Sequence, residues 1–369
     1  MLAGEAATTV AGTRERAVVR SMKLVLVMIV RNEARGIERT LQSVRDHIDG
    51  WLILDTGSTD GTQTLARKSL AGIEGRLVEE PFVDFSTTRN RALQLAEERF
   101  GTGTWCLMMS GDQVVEQADA LRPVAERADA DGYTAVSLDI RSGGLDYVQT
   151  VLTKAGTGCA YTGVTHEVLT APRTALARDI RPVAPRIANI APVEDKTARW
   201  KLDVELLEAD RLKNPDPRTT FYLAQSYECL GDYERAAQLY TERADDEGGY
   251  WEERFIAMLR TARCYWRLKR PASQVIRAYE FAHAFCPERA EPLNDLAKYL
   301  WELGAPIVAH GVAKKAAALP WPKSATLFIE RPVYEHEARA RFHALDRMLY
   351  PAPPARECKP AEPAVHLGV

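Results

Sequence analysis

Short apolar runs alternate with helix-forming segments over the first third of this 369-residue chain. Alternation at this spacing is typical of βαβ units, so it predicts a mainly parallel sheet covered by helices. Ligands of such sheets bind beyond the carboxyl ends of the strands. The predicted strands cover residues 24–30, 51–54, 76–79 and 105–109. We therefore expect one crevice, formed by the segments that follow these strands: 31–33, 55–60, 80–89 and 110–112.

From residue 196 onward the sequence is almost purely helical and contains an internal repeat. The small residues Ala224, Ala262 and Ala297 mark equivalent positions that lie 38 and 35 residues apart. Tetratricopeptide repeats have a period of about 34 residues, and about three copies are needed for a stable stack. The sequence therefore predicts an α/β domain followed by an all-α, tetratricopeptide-like repeat domain.

The sequence predicts that the chain has four parts. We expect a flexible leader (1–21), an α/β domain (22–195), a helical repeat domain (196–348) and a disordered tail (349–369). The proline-rich segment 171–192 is interpreted as a boundary.

The net charge of −3 argues against nucleic acid as a partner. The six cysteines form no CxxC pair, which favours a reducing compartment over a disulfide framework. The apolar run 24–30 is far shorter than the roughly 20 residues that span a bilayer. A cytoplasmic protein without a transmembrane segment is expected, and a homo-oligomer is left open.

The clearest chemical motif follows the second predicted strand, in the run Asp55-Thr56-Gly57-Ser58-Thr59-Asp60-Gly61. It combines a carboxylate at a strand end with glycines for a tight backbone and hydroxyls that cap the next helix. A turn that caps a helix explains the pattern by itself. Binding requires in addition that Asp55 accept a hydrogen bond from a nucleobase or ribose.

Two further positions suggest phosphate and metal chemistry. Arg89 lies in the first turn of a predicted helix, where a cation opposes the helix dipole and is therefore expected to serve a partner such as a diphosphate. An ion pair with Asp84 or Glu80 is the alternative. Asp112 follows the fourth strand and supplies an oxygen ligand for a divalent cation that bridges two phosphates. Its alternative is a cap for a following helix.

In this order the motifs resemble the inverting glycosyltransferases of family 2, which have the GT-A fold. The similarity is to the bacterial subgroup that joins this domain to tetratricopeptide repeats, and it also rests on Phe85-Ser86-x-x-Arg89-Asn90 and on Gly163-Val164-Thr165-His166-Glu167. It covers about residues 23–345. It implies a nucleoside-diphosphate sugar donor, UDP- or GDP-type, bound by residues that follow the strands: Val30, Asn32, Glu33, Asp55, Gly57, Ser58, Asp84, Arg89 and Gly111.

The resemblance also implies a metal and a base. Asp112 would bind Mn²⁺ or Mg²⁺. His166, also a catalytic candidate, would approach the metal or the phosphates, and as a metal ligand its imidazole suits Mn²⁺ better. Glu167 would be the catalytic base, although a His-Glu pair is as often a structural hydrogen-bonded couple. Glu194 and Asp195 are the rival carboxylates.

The sequence departs from the subgroup at one point. The subgroup reads Asp-Ala-Asp-Glu where this chain has Ser110-Gly111-Asp112-Gln113. The departure favours a non-catalytic sugar-nucleotide-binding scaffold whose repeats recruit a protein. The intact Asp55, Arg89, Asp112 and His166-Glu167 favour an active transferase, with a peptide, secondary metabolite or glycan as acceptor and the repeat domain as its candidate holder. A nucleotidyltransferase is disfavoured because its glycine-rich N-terminal loop is missing.

Overall fold

The computed structural model describes residues 22–190 and 196–351. The predicted leader, the rival carboxylates Glu194 and Asp195, and the predicted tail from residue 352 onward lie outside the described residues. Within the described ranges, no helix has both the length and the apolarity needed to cross a bilayer.

Four parallel strands form one side of the main sheet, in the order β3-β2-β1-β4. They are β1 (Leu24–Val30), β2 (Gly50–Asp55), β3 (Glu74–Glu79) and β4 (Trp105–Met109). The intervening helices are α1 (Ile37–Gln42), α2 (Thr62–Ser69) and α3 (Phe85–Phe100). Strands β1, β2 and β4 are buried on both faces, which explains why their sequences are continuously apolar. The predicted parallel sheet is confirmed.

The other side of the sheet is mixed and continues beyond β4 in the order β7-β6-β11-β5. Its elements are β5 (Gln113–Glu116), α4 (Leu121–Ala130), β6 (Ala135–Ser142), β7 (Leu145–Lys154), β10 (Thr174–Leu176), α5 (Ala177–Ile180) and β11 (Arg186–Asn189). Strands β8 (Ala160–Thr162) and β9 (Val168–Thr170) form a separate small sheet. Because β11 lies between β6 and β5, the interpretation of segment 171–192 as a boundary is wrong for its described part.

Antiparallel helices stack after residue 196. They are α6 (Thr197–Lys213), α7 (Pro217–Cys229), α8 (Tyr233–Asp245), α9 (Trp251–Arg267), α10 (Ala272–Phe285), α11 (Glu291–Glu302), α12 (Pro306–Ala318) and α13 (Ala338–Leu349). Ala224, Ala262 and Ala297 lie on α7, α9 and α11 and are fully buried. Small residues at these places let successive helix pairs pack closely, as the repeat pattern predicts.

One strand of the main sheet comes from the helical region. Strand β12 (Ile329–Glu330) lies between α12 and α13 and pairs antiparallel with the start of β7. Beside it, the Val148 N–H donates to the Thr326 carbonyl at 2.8 Å, and Arg331 pairs with Asp146 at 2.9 Å. The chain after residue 196 is therefore not purely helical. The domain limits 22–195 and 196–348 stay predictions.

Candidate functional site

The loops that follow β1 and β2 are joined by hydrogen bonds into one rim. The Asn32 N–H donates to Ser58 Oγ at 2.9 Å, and Asn32 Oδ1 accepts from the Thr59 N–H at 2.8 Å. The Ala34 N–H donates to Asp60 Oδ2 at 2.9 Å. Asn32 has a left-handed φ of 57°, a conformation that asparagine tolerates better than most residues. The rim brings together two of the segments that the sequence assigns to the crevice.

Asp55 lies at the carboxyl end of β2 and is fully buried. Its Oδ1 accepts from the N–H groups of Gly57 and Ser58 at 2.9 and 2.8 Å, and from Gln63 Nε2 at 3.2 Å. Its Oδ2 is buried and has no hydrogen-bond partner among the described residues. A buried acceptor without a partner costs about 1–3 kcal/mol, so this oxygen is where a donor group on a ligand would gain most.

Glycine is needed at position 57 because of its backbone. Gly57 has a φ of 102°, in the left-handed region that side chains disfavour. Further along the loop, Asp60 Oδ1 accepts from the Thr62 hydroxyl at 2.6 Å, and this bond lowers the pKa of Asp60. The run from Asp55 therefore also forms the turn that leads into α2, as the alternative interpretation holds.

The loop after β4 packs closely against the loop after β1. The Thr40 hydroxyl donates to the Gly111 carbonyl at 2.7 Å, and a Cβ at position 111 would lie 2.5 Å from Cγ of Glu33. Next to it, the half-buried Asp112 carboxylate makes no hydrogen bond or ion pair with the residues that the structure describes. Strand β5 follows Asp112, so the alternative of a helix cap is wrong.

Gln113 has a structural role that explains its neutral side chain. Its Oε1 accepts from the Ser110 N–H at 2.9 Å, and its Nε2 donates to Asn189 Oδ1 at 3.1 Å. Asn189 Nδ2 lies 3.4 Å from the Tyr147 hydroxyl. Burial raises the pKa of Tyr147, and the charge of Asp112 adds to that effect. A carboxylate at position 113 would accept but not donate, so it would lose the bond to Asn189.

Arg89 and Glu167, predicted for different roles, contact each other. Arg89 Nε donates to Glu167 Oε1, and the two side chains are only 12% and 9% exposed. Asp84 instead caps α3, because its Oδ1 accepts from the Thr87 N–H at 2.7 Å. Glu80 pairs with Arg91 at 3.0 Å. The ion-pair alternative for Arg89 is therefore correct in kind but wrong about the partner.

His166 lies against the helical repeats. Its ring stacks on Tyr222 of α7 with centroids 4.2 Å apart, and its Nε2 lies 3.9 Å from Asp203 Oδ2 of α6. Burial lowers the pKa of His166, so the imidazole is neutral at pH 7 and able to bind a metal. Tyr222 is linked to Tyr147 through two further rings. Tyr222 packs edge-on against Phe221 with centroids 5.0 Å apart, Phe221 stacks on Phe328 at 6.4 Å, and Phe328 packs edge-on against Tyr147 at 5.6 Å.

The sequence analysis missed Tyr147, Asn189, Asp203 and Tyr222. No local motif marks them, and only the fold brings them to the site. Within the described residues, no three His, Cys, Asp or Glu side chains form a metal-binding cluster. A Mg²⁺ or Mn²⁺ ion that bridges phosphates needs only one or two carboxylates, and the unpaired Asp112 fits that requirement.

Comparison with known proteins identifies the first part of the chain. Residues 25–174, from β1 to the start of β10, match the family model for glycosyl transferase family 2. A TPR repeat-containing protein of Synechococcus elongatus is 34% identical over 125 residues, which are 33% of this chain and 29% of that protein. The match thus spans less than a third of the relative's length.

Three solved structures show a weaker similarity. MamA (MSR-1) is 22% identical, with a TM-score of 0.30, over 34% of this chain and 69% of that one. PcrH from Pseudomonas aeruginosa is 15% identical, with a TM-score of 0.30, over 35% and 90%. A thermophilic TPR protein of Thermus thermophilus is 18% identical, with a TM-score of 0.30, over 42% and 76%.

The match to the family model, together with the parallel sheet, indicates a glycosyltransferase-like domain. More specifically, residues 25–174 form a glycosyltransferase family 2 domain, and tetratricopeptide-like helical pairs follow it in the chain.

Proposed function

We propose that this chain is a metal-dependent inverting glycosyltransferase that uses a UDP- or GDP-type sugar donor. The observation that carries the proposal is the buried, unpartnered Oδ2 of Asp55 at the carboxyl end of a parallel strand in a family 2 domain. A nucleobase or ribose donor group is the ligand that would satisfy this oxygen. The rim around Asn32, Glu33 and Ser58 would enclose the nucleotide, beside the backbone of Val30, Gly57 and Gly111.

We assign the diphosphate to Asp112 and Arg89. A divalent cation, Mn²⁺ or Mg²⁺, neutralises negative charge on a leaving diphosphate when it is bound. The unpaired carboxylate of Asp112 would hold it, and the neutral imidazole of His166 is the second candidate ligand. Arg89 would bind diphosphate oxygens, which compete with Glu167 for its guanidinium. Asp84 would act indirectly, by capping the helix that presents Arg89.

Glu167 is our candidate base. In an inverting transfer, the base takes a proton from the acceptor while the acceptor attacks the anomeric carbon and the bond to the diphosphate breaks. Glu167 is free for this step only after Arg89 has turned to the diphosphate. The ion pair therefore favours an order in which the donor binds first.

The acceptor would bind beside the repeats. Tyr222 of α7, which stacks on His166, and Tyr147 of β7 are the aromatic residues that we assign to it. We propose a peptide, a secondary metabolite or a glycan as the acceptor rather than a membrane lipid, because these three do not have to be taken from a membrane surface.

The decisive experiment measures donor binding and donor hydrolysis. Purified protein is screened against UDP-, GDP- and dTDP-sugars, with and without Mn²⁺, by thermal shift and by release of nucleoside diphosphate. We expect one nucleotide class to raise the melting temperature in a Mn²⁺-dependent way and its sugar to be hydrolysed slowly. If no sugar nucleotide binds, the proposal is wrong.

Asp112→Ala should abolish the Mn²⁺-dependent part of donor binding, because it removes the only protein carboxylate that we assign to the cation. Asp119→Ala is the matched control, since Asp119 is an exposed carboxylate close to Asp112 in the sequence. Unchanged Mn²⁺ dependence in Asp112→Ala would remove Asp112 from the metal site.

A non-catalytic scaffold is the second candidate. Ser110 and Gln113 favour it, because Gln113 forms part of an uncharged network where the resembling subgroup has an acid. Tight donor binding with no hydrolysis and no transfer to any acceptor in a lysate fraction would support this alternative.

A further inference from the structure

The segment 163–167 belongs to the family 2 domain and contacts the first repeat helices. On one side, the Phe85 N–H at the start of α3 donates to the Val164 carbonyl at 3.3 Å. On the other side, the Thr165 hydroxyl donates to Asp203 Oδ1 of α6 at 2.7 Å. Thr165 and Asp203 are both only 3% exposed. The backbone that carries His166 and Glu167 is thus fixed by both parts of the chain.

The two oxygens of the buried Asp203 carboxylate face different groups. Its Oδ1 accepts from Thr165 and from Arg199 Nε, the latter at 2.9 Å, so its charge is paired. Its Oδ2 faces His166 Nε2 at 3.9 Å, which is within ion-pair range but longer than a hydrogen bond. A buried carboxylate retains its charge only where partners compensate for lost water, and here the partners orient it toward the imidazole.

The His166 backbone also depends on the repeats. His166 has a φ of 49°, a left-handed conformation that costs a non-glycine residue about 1–2 kcal/mol. Arg218 of α7 donates to the His166 carbonyl at 3.0 Å and is held in turn by the buried Glu253 of α9 at 2.6 Å. Tyr222 lies flat against the ring, with an interplanar angle of 10°. Backbone and ring plane are therefore each held from a repeat helix, and one ring nitrogen faces the Asp203 carboxylate at 3.9 Å.

We propose that the repeat region completes the active site by positioning His166, with Asp203 and Tyr222 as positioning residues. At 3.9 Å the negative charge of Asp203 favours the tautomer that carries the proton on Nε2, and Tyr222 fixes the ring plane. Nδ1 is then the unprotonated nitrogen, available to a metal ion or to an acceptor proton. This inference rests on the proposed function, and it makes the repeats a part of the catalytic unit as well as an interaction module.

A junction that merely joins two domains would also bury Asp203 and Tyr222. The two explanations differ in what they require of the imidazole. A structural junction makes no demand on the tautomer of His166, whereas positioning requires a single tautomer that changes when the Asp203 charge is removed.

The test measures the tautomer directly in the metal-free, full-length protein. Two-bond ¹H–¹⁵N correlations of ¹⁵N-histidine-labelled protein distinguish the two tautomers, and the His166→Gln spectrum identifies the His166 signals. We expect the Nε2–H form in the wild type and a mixture of tautomers in Asp203→Asn. An Nδ1–H form in the wild type would overturn the proposal, and apart from the assignment through His166→Gln this measurement uses the wild-type protein alone.

Donor assays complete the test. Asp203→Asn and Tyr222→Leu should lower Mn²⁺-dependent donor turnover by about tenfold or more, as changes to residues that orient a metal ligand commonly do, while metal-free nucleotide binding stays unchanged. Asp295→Asn on α11, which removes another carboxylate paired with an arginine, 16% exposed, is the matched control and should leave turnover unchanged.

The outcomes separate the two proposals. Wild-type turnover in Asp203→Asn, together with an unaltered tautomer, would overturn the positioning role while leaving the proposed function intact. A wild-type protein that binds no sugar nucleotide would overturn the proposed function, whatever the tautomer of His166.

Discussion

Arg89 and Glu167, 78 residues apart in sequence, form an ion pair that joins α3 to the loop before β9. Each side chain is nearly buried, and neither forms another ion pair with the residues that the structure describes. A diphosphate that attracts Arg89 would therefore release Glu167. This relationship leads to the first prediction.

Glu167→Gln should retain donor binding and lose transfer. The amide cannot accept the acceptor proton, so we expect the rate of transfer to fall by about 10²-fold or more, in line with the usual contribution of a general base. The donor Kd should stay the same or decrease, because Arg89 no longer has a charged competitor.

Glu80→Gln is the control for that variant, since it breaks a different ion pair of α3, the one with Arg91. Titration calorimetry gives the donor Kd and product formation gives the rate. Near-normal transfer in Glu167→Gln would assign the base to another carboxylate, with Glu194 and Asp195 next in line.

The second prediction concerns the missing carboxylate at position 110. Ser110 is half-buried, and its backbone N–H already donates to Gln113, so Ser110→Asp keeps that bond while adding an oxygen ligand beside Asp112. We expect Mn²⁺ to bind about tenfold more tightly, or about 1.4 kcal/mol. Ser110→Asn, similar in size but uncharged, should show little change. Equal Mn²⁺ affinity in the two variants would place position 110 away from the cation.

The parts of this molecule that could be predicted from sequence are those fixed by local patterns. The apolar runs of β1, β2 and β4 predicted their strands because strands buried on both faces are continuously apolar. The turn that begins at Asp55 was predictable because Gly57 and the Asp55 carboxylate act on neighbouring residues, whereas the bond of the Ser58 hydroxyl to Asn32, 26 residues away, was not. The spacing of Ala224, Ala262 and Ala297 was enough to predict the repeats.

The contacts that the sequence did not predict join residues far apart in the chain. Arg89 carries no signal that its partner is Glu167 rather than the nearby Asp84, because a charge does not specify which opposite charge the fold brings near. Gln113 appeared as a lost acid until Asn189 showed why an amide is needed. The pairing of β12 with β7 could not be predicted either. A strand of two residues is too short to show the alternation of apolar and polar residues by which strands are recognised in a sequence.

The cysteines provide a third prediction, on thiol reactivity. Cys106, Cys264 and Cys286 are buried, and burial raises their pKa to about 12, 12 and 11. At pH 8 these thiols carry almost no thiolate, which is the reactive form. Cys229 is exposed and should react in the native protein, although more slowly than a free thiol, because partial burial raises its pKa too.

We expect the native protein to lose one reactive thiol in Cys229→Ser when it is titrated with a disulfide reagent. Cys106, Cys264 and Cys286 should react only on addition of denaturant. Rapid native labelling at any of these three, located by peptide mass spectrometry, would contradict the packing of the helices or strands around it.

The last prediction concerns the contact that attaches β12 to the repeats. Arg263 on α9 holds the Glu330 carboxylate through two bonds, of 2.5 and 2.9 Å, and Asp295 through a third. Burial by itself would raise the pKa of Glu330, but the attraction and hydrogen bonds of Arg263 outweigh it and lower the pKa below the usual 4.5. Glu330→Ala leaves the largely buried guanidinium of Arg263 with Asp295 as its remaining acidic partner of the two. We expect a loss of about 2 kcal/mol in the free energy of unfolding, less than for a fully buried pair because about a fifth of each side chain is exposed.

The effect should depend on pH in a defined direction. A carboxylate whose pKa is lowered on folding stabilises the protein above the unfolded pKa, and this contribution disappears as the pH falls through the folded pKa. The difference between wild type and Glu330→Ala should thus be full at pH 7 and shrink as the pH falls below about 4.5. Urea unfolding at several pH values measures it, with Glu335→Ala, an exposed acid after β12, as a control expected to change stability by less than about 0.5 kcal/mol. A Glu330→Ala penalty that stays constant down to pH 3 would show that the charge of Glu330 does not hold β12 in place.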